Sequence, residues 1–228
     1  DHVSGGRLQL SMGAGWYEPE YNAYGIPFPP IKQRMQQLRE ALKIVRMMWT
    51  EEKLSYNGTH YQIREAYCYP RPVQKPRPPI WVGGAGEKTL LRIVAELADG
   101  WNAIALSPEE YALKAKVLEK HCAALGRDPG TVERSYYAPA LTGHSDSEFL
   151  GVFQRFYGPM RKEGESTESL VQRIRSTRPL VGTVTEVAEK LTQLARLGVT
   201  YPIFYFHDKD ELQQMRIFAE QILPLFKN

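Results

Sequence analysis

Cysteine is scarce in this 228-residue sequence: Cys68 and Cys122 stand far apart, with no C-x-x-C. That excludes a disulfide framework or a thiolate zinc site. The five histidines show no pairing that suggests a metal. A reducing, cytoplasmic setting is the expectation. No apolar run approaches the roughly 18 residues of a membrane span. Charge of one sign is lacking too, with 29 Lys and Arg against 26 Asp and Glu. No basic run reaches five residues, so neither nucleic acid nor a membrane surface is expected as a partner. Internal repeats and low-complexity segments are missing as well. The opening Asp1-His2-Val3-Ser4 has no initiator methionine and no signal-peptide pattern, and it reads like the middle of something longer.

What is present is a pattern that occurs twice. A short apolar run, Ile80-Trp81-Val82, ends in Gly83-Gly84-Ala85-Gly86, and a helical pattern over 87–97 follows. Strand, glycine turn and helix start form the local build of an anion site, because the backbone can approach a phosphate and free N–H groups point at it. The turn is not a Walker A loop, since Gly86-Glu87-Lys88-Thr89 lacks Gly-Lys-Thr. The third glycine of a dinucleotide fingerprint is also missing. A plain βα reversal is the competing reading. The second copy runs over 7–12 and ends in Gly13-Ala14-Gly15-Trp16.

Elsewhere, Met35, Leu38, Leu42 and Val45 recur at helical steps and predict an amphipathic helix over 31–49. Asn57-Gly58 predicts a hairpin over 53–63. A proline-laden connection over 70–79 leads into the Ile80 strand. Ser107-Pro108-Glu109-Glu110 opens a helix to Leu125, with a strand over 101–106 before it and another over 131–141 after it. Residues 142–178 read as a polar excursion with helices over 147–157 and 167–176. Thr183-Val184-Thr185-Glu186 is a capping box, followed by a strand over 201–206 and a last helix over 209–226. Five alternations of strand and helix imply an α/β fold on a parallel sheet. An open doubly wound sheet and a (β/α)8 barrel both remain possible. Either places its sites at the C-terminal strand ends, where both glycine turns and His207 fall.

Ser4-Gly5-Gly6-Arg7-Leu8, Gly13-Ala14-Gly15-Trp16, Arg34, Pro70-x-Pro72, Pro79-Ile80-Trp81-Val82-Gly83-Gly84, Ala98-Asp99-Gly100-Trp101-Asn102 and Val181-Gly182-Thr183 stand in order. This series resembles the bacterial luciferase-like monooxygenase superfamily across essentially the whole chain, and most of all its F420-dependent oxidoreductase branch. The resemblance implies a (β/α)8 TIM barrel, of which residues 1–228 supply the fourth to eighth strands as a single, N-terminally incomplete domain. Residues 142–180 would then be an insertion after the seventh strand. Two unpaired sheet edges and an exposed apolar interior are expected, closed by the missing N-terminal segment or by a partner, a homo-oligomer included.

The same resemblance implies a deazaflavin, F420, at the barrel mouth, with FMN as the alternative. Gly83, Gly84, Ala85 and Gly86 would cradle its phosphate, and Arg34 would contact it unless it is a solvated arginine on a polar helix face. Gly13, Ala14, Gly15 and Trp16 would flank the ring and ribityl chain, Trp16 being otherwise a rim residue. His207 and Glu18 are the proton-handling candidates for catalysis, with Glu20 beside them. Their plain alternatives are a structural histidine and solvent-facing carboxylates. Asp99-Gly100-Trp101 is expected to shape a turn rather than react. The expected activity is hydride transfer between F420 and a small organic substrate. Alternatives are an FMN-dependent monooxygenase using O2, and a non-catalytic barrel fragment or assembly partner.

Overall fold

The computed structural model describes residues 1–206 and 211–226. The chain divides into two compact units, one of residues 1–101 and 117–132, the other of residues 102–116 and 133 onward. The first unit runs through β1 (Leu10–Met12), α1 (Glu18–Ala23), α2 (Ile31–Thr50), the hairpin β2 (Leu54–Asn57) and β3 (Gln62–Ala66), β4 (Ile80–Gly83), α3 (Leu90–Leu97) and the start of β5 (Gly100–Ile104). β1 pairs in parallel with β4, Leu10 opposite Ile80 and Met12 opposite Val82. β4 in turn neighbours β5.

Ile80, Trp81 and Val82 are all buried, as befits a strand covered on both faces. α3 is apolar almost all round, with Leu90, Leu91, Ile93, Val94, Ala95 and Leu97 buried. A helix so enclosed needs partners for its last carbonyls. Arg46 Nη1 donates to the Leu97 carbonyl at 2.7 Å and Arg127 Nη1 to that of Ala95 at 2.9 Å. Both cations sit at the negative end of the helix dipole, where charge of that sign is favoured. α2 turns Leu38 and Leu42 inward at its four-residue step. From the same helix, the Glu40 carboxylate accepts the amides of Thr59 (3.0 Å), His60 (2.9 Å) and Tyr61 (3.1 Å), which fastens the hairpin to α2.

The start of β4 is tied to the start of β5 by Asp99. Its carboxylate accepts both Arg77 Nη atoms, at 2.5 and 3.0 Å, and the Ile80 amide at 2.7 Å. Next to it, a Cβ on Gly100 would overlap the buried Trp81 ring, so β5 can begin there only with glycine. The motif, expected at a βα turn, shapes instead the connection from α3 into β5, and Gly100 and Trp101 already belong to the strand. α4 (Pro108–Ala124) opens on Ser107, whose Oγ accepts the Glu110 amide at 3.2 Å while Glu110 Oε2 accepts the Ser107 amide at 2.8 Å.

The second unit holds β6 (Glu133–Gly143), α5 (Asp146–Tyr157), α6 (Thr167–Arg175), β7 (Leu180–Thr183), α7 (Val184–Arg196), β8 (Tyr201–Phe206) and α8 (Glu211–Ile217). β6 pairs in parallel with β8 from Ser135 opposite Tyr201 to Ala140 opposite Phe206. It pairs with β7 from Ala140 opposite Leu180 to Gly143 opposite Thr183. α5 and α6 cover the upper half of β6 through Leu141, Phe149, Phe153, Leu170 and Val181. The buried Gln214 amide accepts from the Thr142 N–H at 2.8 Å and donates to the Thr142 carbonyl at 3.0 Å, so a side chain takes the place of a strand neighbour. Thr183 and Glu186 form the expected capping box at the head of α7. Phe204 and Phe206 pack on Phe218, with ring centroids 4.9 and 5.0 Å away. The alternate residues Tyr201, Ile203 and Tyr205 remain 37–46 % exposed. Among the described residues, β1 pairs only with β4 and β8 only with β6.

Among the described residues the parallel strands number six rather than five, because β7 also pairs with β6. Its four residues include a glycine and run straight into a helix cap, so no alternation betrays them. α1 has no counterpart among the elements expected from sequence. α3 begins at Leu90 because residues 87–89 form a turn first, and the last helix passes into π and 3-10 turns from Phe218 to Phe226.

Candidate functional site

The two glycine turns leave neighbouring strands at the same end. Gly13-Ala14-Gly15 follows β1 and Gly83-Gly84-Ala85-Gly86 closes β4, and the pairing of Met12 with Val82 sets them side by side. A Cβ on Gly13 would lie 3.8 Å from the Gly83 carbonyl oxygen. This is the edge at which parallel sheets carry their ligands.

In the second turn Gly84 has φ +127°, a region closed to residues with a side chain, and a Cβ there would press to 2.8 Å from Leu90 Cδ1. The Gly86 carbonyl accepts the Leu91 amide at 3.0 Å and starts α3. The amides of Ala85 and Gly86 donate to no group among the described residues. Two uncommitted N–H groups at the positive end of a helix whose far end already holds Arg46 and Arg127 are what an anion requires. Two side chains hold the carbonyls of this segment. The fully buried Trp101 donates its indole N–H to the Gly84 carbonyl at 2.7 Å. His121, near the end of α4, meets the Glu87 carbonyl through Nε2 at 2.8 Å; since a carbonyl only accepts, Nε2 carries the proton.

The first turn is held differently. Arg34 Nε donates to the Pro29 carbonyl at 2.9 Å, and Nη1 donates to the carbonyls of Ala14 and Gly15. Its guanidinium lies 3.9 Å above the Phe28 ring. Arg34 therefore braces the turn, which neither reading of it from sequence included, and its Nη2 has no partner among the described residues. A cavity of about 520 Å³ opens beside it, lined by Met12, Gly13, Ala14, Tyr21, Arg34 and Tyr61 among others. Trp16 is 84 % exposed, its ring centroid 5.2 Å from that of its neighbour Tyr17. Glu18 is the exposed first residue of α1. His207 lies outside the described residues.

The structure thus brings Gly13, Ala14, Gly15 and Arg34 together with Gly83, Gly84, Ala85 and Gly86. Trp101 and His121 were not among the expected site residues. Trp101 was legible as part of a turn motif, but no spacing in the sequence links His121 to a turn more than thirty residues earlier.

Parallel βα units with glycine turns gathered at the strand ends define an α/β protein built on a parallel sheet. An F420-dependent secondary alcohol dehydrogenase, solved in complex with an F420-acetone adduct, shares the fold at a TM-score of 0.78 and 18 % identity, over 98 % of this chain and 71 % of that one. This likeness decides between the two closures left open by sequence in favour of the (β/α)8 type, of which the chain covers part. The chain belongs to the luciferase-like monooxygenase family, whose pattern matches residues 1–201. An F420-dependent glucose-6-phosphate dehydrogenase of Microbacterium testaceum is 27 % identical over 96 % of this chain. An FMNH2-dependent dimethylsulfone monooxygenase of Pseudomonas putida is 24 % identical over all of it. The chain spans 68 % of the length of each of these two relatives. No helix among the described residues is long and apolar enough to cross a membrane.

Proposed function

We propose that this chain serves an oxidoreductase in which F420 exchanges a hydride with a small organic substrate. One observation carries the reading: uncommitted amides at Ala85 and Gly86 before α3, beside a second glycine turn, in a chain of this family. The conformation of Gly84 and the close packing of Leu90 beneath it fit a phosphate cradle. Gly83, Gly84, Ala85 and Gly86 hold the phosphate by backbone N–H groups. Arg34 adds positive charge through its free Nη2 and keeps the first turn in place. Gly13, Ala14, Gly15 and Trp16 flank the ring and ribityl chain, where an exposed indole gains a partner and excludes water. When bound, the deazaflavin supplies hydride transfer. Glu18 reaches solvent freely and exchanges the proton of the reaction, with His207 as the second candidate.

An FMN-dependent, oxygen-using monooxygenase is the second reading, favoured by the match of the dimethylsulfone enzyme to all of this chain. Fluorescence titration with F420 and FMN separates the two. FMN bound more than about tenfold tighter, a difference of roughly 1.4 kcal/mol, reverses the preference. Binding of neither leaves the non-catalytic assembly partner. The single neighbours of β1 and β8 also call for strands from a further copy or segment, which size-exclusion with light scattering tests as an oligomer. A cytoplasmic location fits this chemistry and two thiols that make no disulfide.

A further inference from the structure

We infer that Trp101 and His121 are positioning residues for the anion turn, and that together they set its affinity for phosphate. This rests on the function proposed above and adds to it the means by which bare amides stay aligned. A glycine-rich loop has many conformations of similar energy, and ordering one costs about 1–2 kcal/mol per residue. Free amides in such a loop would turn toward any available carbonyl. Here the peptide units at either side of Ala85 and Gly86 are fixed by their oxygens: Gly84 by the Trp101 indole at 2.7 Å, Glu87 by His121 Nε2 at 2.8 Å. A peptide plane whose C=O is held has its N–H direction held as well, because the two point opposite ways across a rigid plane. The Gly84 carbonyl belongs to the plane that carries the Ala85 amide. The amide of Ala85 is therefore aimed by Trp101 directly, and that of Gly86 is confined between the two anchors.

The anchors differ in kind. Trp101 is fully buried and follows the Asp99-Gly100 pair that joins the two strand starts, so it is a fixed post. His121 is partly exposed in the last turn of α4 and can be changed without opening a core.

The test is binding of FMN and F420 to the full chain, each beside its phosphate-free ring compound (riboflavin for FMN, the deazaflavin chromophore for F420). Trp101→Phe keeps the ring and removes the N–H. It is expected to weaken the phosphate-bearing member about five- to tenfold, the worth of one hydrogen bond, and to leave the phosphate-free member within twofold. His121→Ala is expected to do the same by about threefold, and His121→Gln, which keeps a donor, to restore affinity. A general loss of fold would move both members of a pair alike. If both variants keep the wild-type preference for phosphate, the two anchors have no such role, while the proposed function stands. If the wild-type chain binds neither cofactor, the proposed function itself fails and the inference with it. Should Trp101→Phe not fold, the His121 pair decides.

Discussion

Replacing Asp99 by Asn probes the joint between β4 and β5 with little change of shape. The carboxylate accepts two guanidinium contacts and one amide, and the Arg77 side chain it faces is only 8 % exposed. Asn keeps one acceptor oxygen but turns an NH2 toward donors, leaving a buried cation half unpaired. Breaking a fully buried pair costs about 3–5 kcal/mol. The Asp99 side chain is 40 % exposed, so water screens part of that, and about 2–3 kcal/mol is expected. For a chain of this size about 1 kcal/mol moves Tm by roughly 2–4 °C, so the variant should melt about 5–10 °C lower.

The pH dependence carries its own sign. Burial pulls the Asp99 pKa up, but the Arg77 hydrogen bonds, the Ile80 amide and the Arg77 and Arg46 charges outweigh it, and the net shift is downward. A lowered carboxyl pKa gives stability that is fully present above the unfolded value of about 3.9 and is lost as pH falls through the folded value. The gap between wild type and Asp99→Asn should be constant from about pH 5 upward and narrow below about pH 4. Circular-dichroism melts across that range measure it. A variant within a degree of wild type at neutral pH, or a gap that widens in acid, refutes the reasoning.

Gly84→Ala forces a Cβ to 2.8 Å from Leu90 and into a backbone region reserved for glycine, so FMN or F420 affinity should fall at least about tenfold. Unchanged affinity by titration removes the phosphate cradle. Gly100→Ala drives a methyl into the Trp81 ring and should lower stability by about 3 kcal/mol, seen as loss of soluble, cooperatively melting protein. Thr183→Ala deletes the cap of α7 and should cost about 1 kcal/mol, a Tm fall of roughly 2–4 °C in the same melts. Ala105, just past β5, has φ +48°; Ala105→Gly relieves about 1–2 kcal/mol of strain against about 0.5–1 kcal/mol of added chain entropy, so Tm should hold or rise slightly.

Elements with their own local signal were readable from sequence alone. The capping box at Thr183, the serine cap of α4, the Asn57-Gly58 hairpin and both glycine turns depend on residues a few places apart, and each stands where the pattern put it. The misses depend on distant partners. β7 is a strand only because β6 lies beside it. Gln214 reads as a polar residue of a last helix, yet it completes the hydrogen bonding of Thr142 across seventy-two positions. In the site, the turn was legible because glycine advertises backbone freedom. Its anchors were not, because any buried tryptophan and any helix-end histidine look alike until the fold sets them against particular carbonyls.

With both termini tethered, α3 behaves as a strut whose electric field is already in place before a ligand arrives. On the function proposed above, an anion arriving there finds the peptide planes already set. Capture should therefore follow a single kinetic phase, and discrimination between cofactors is left to whatever grips the rings.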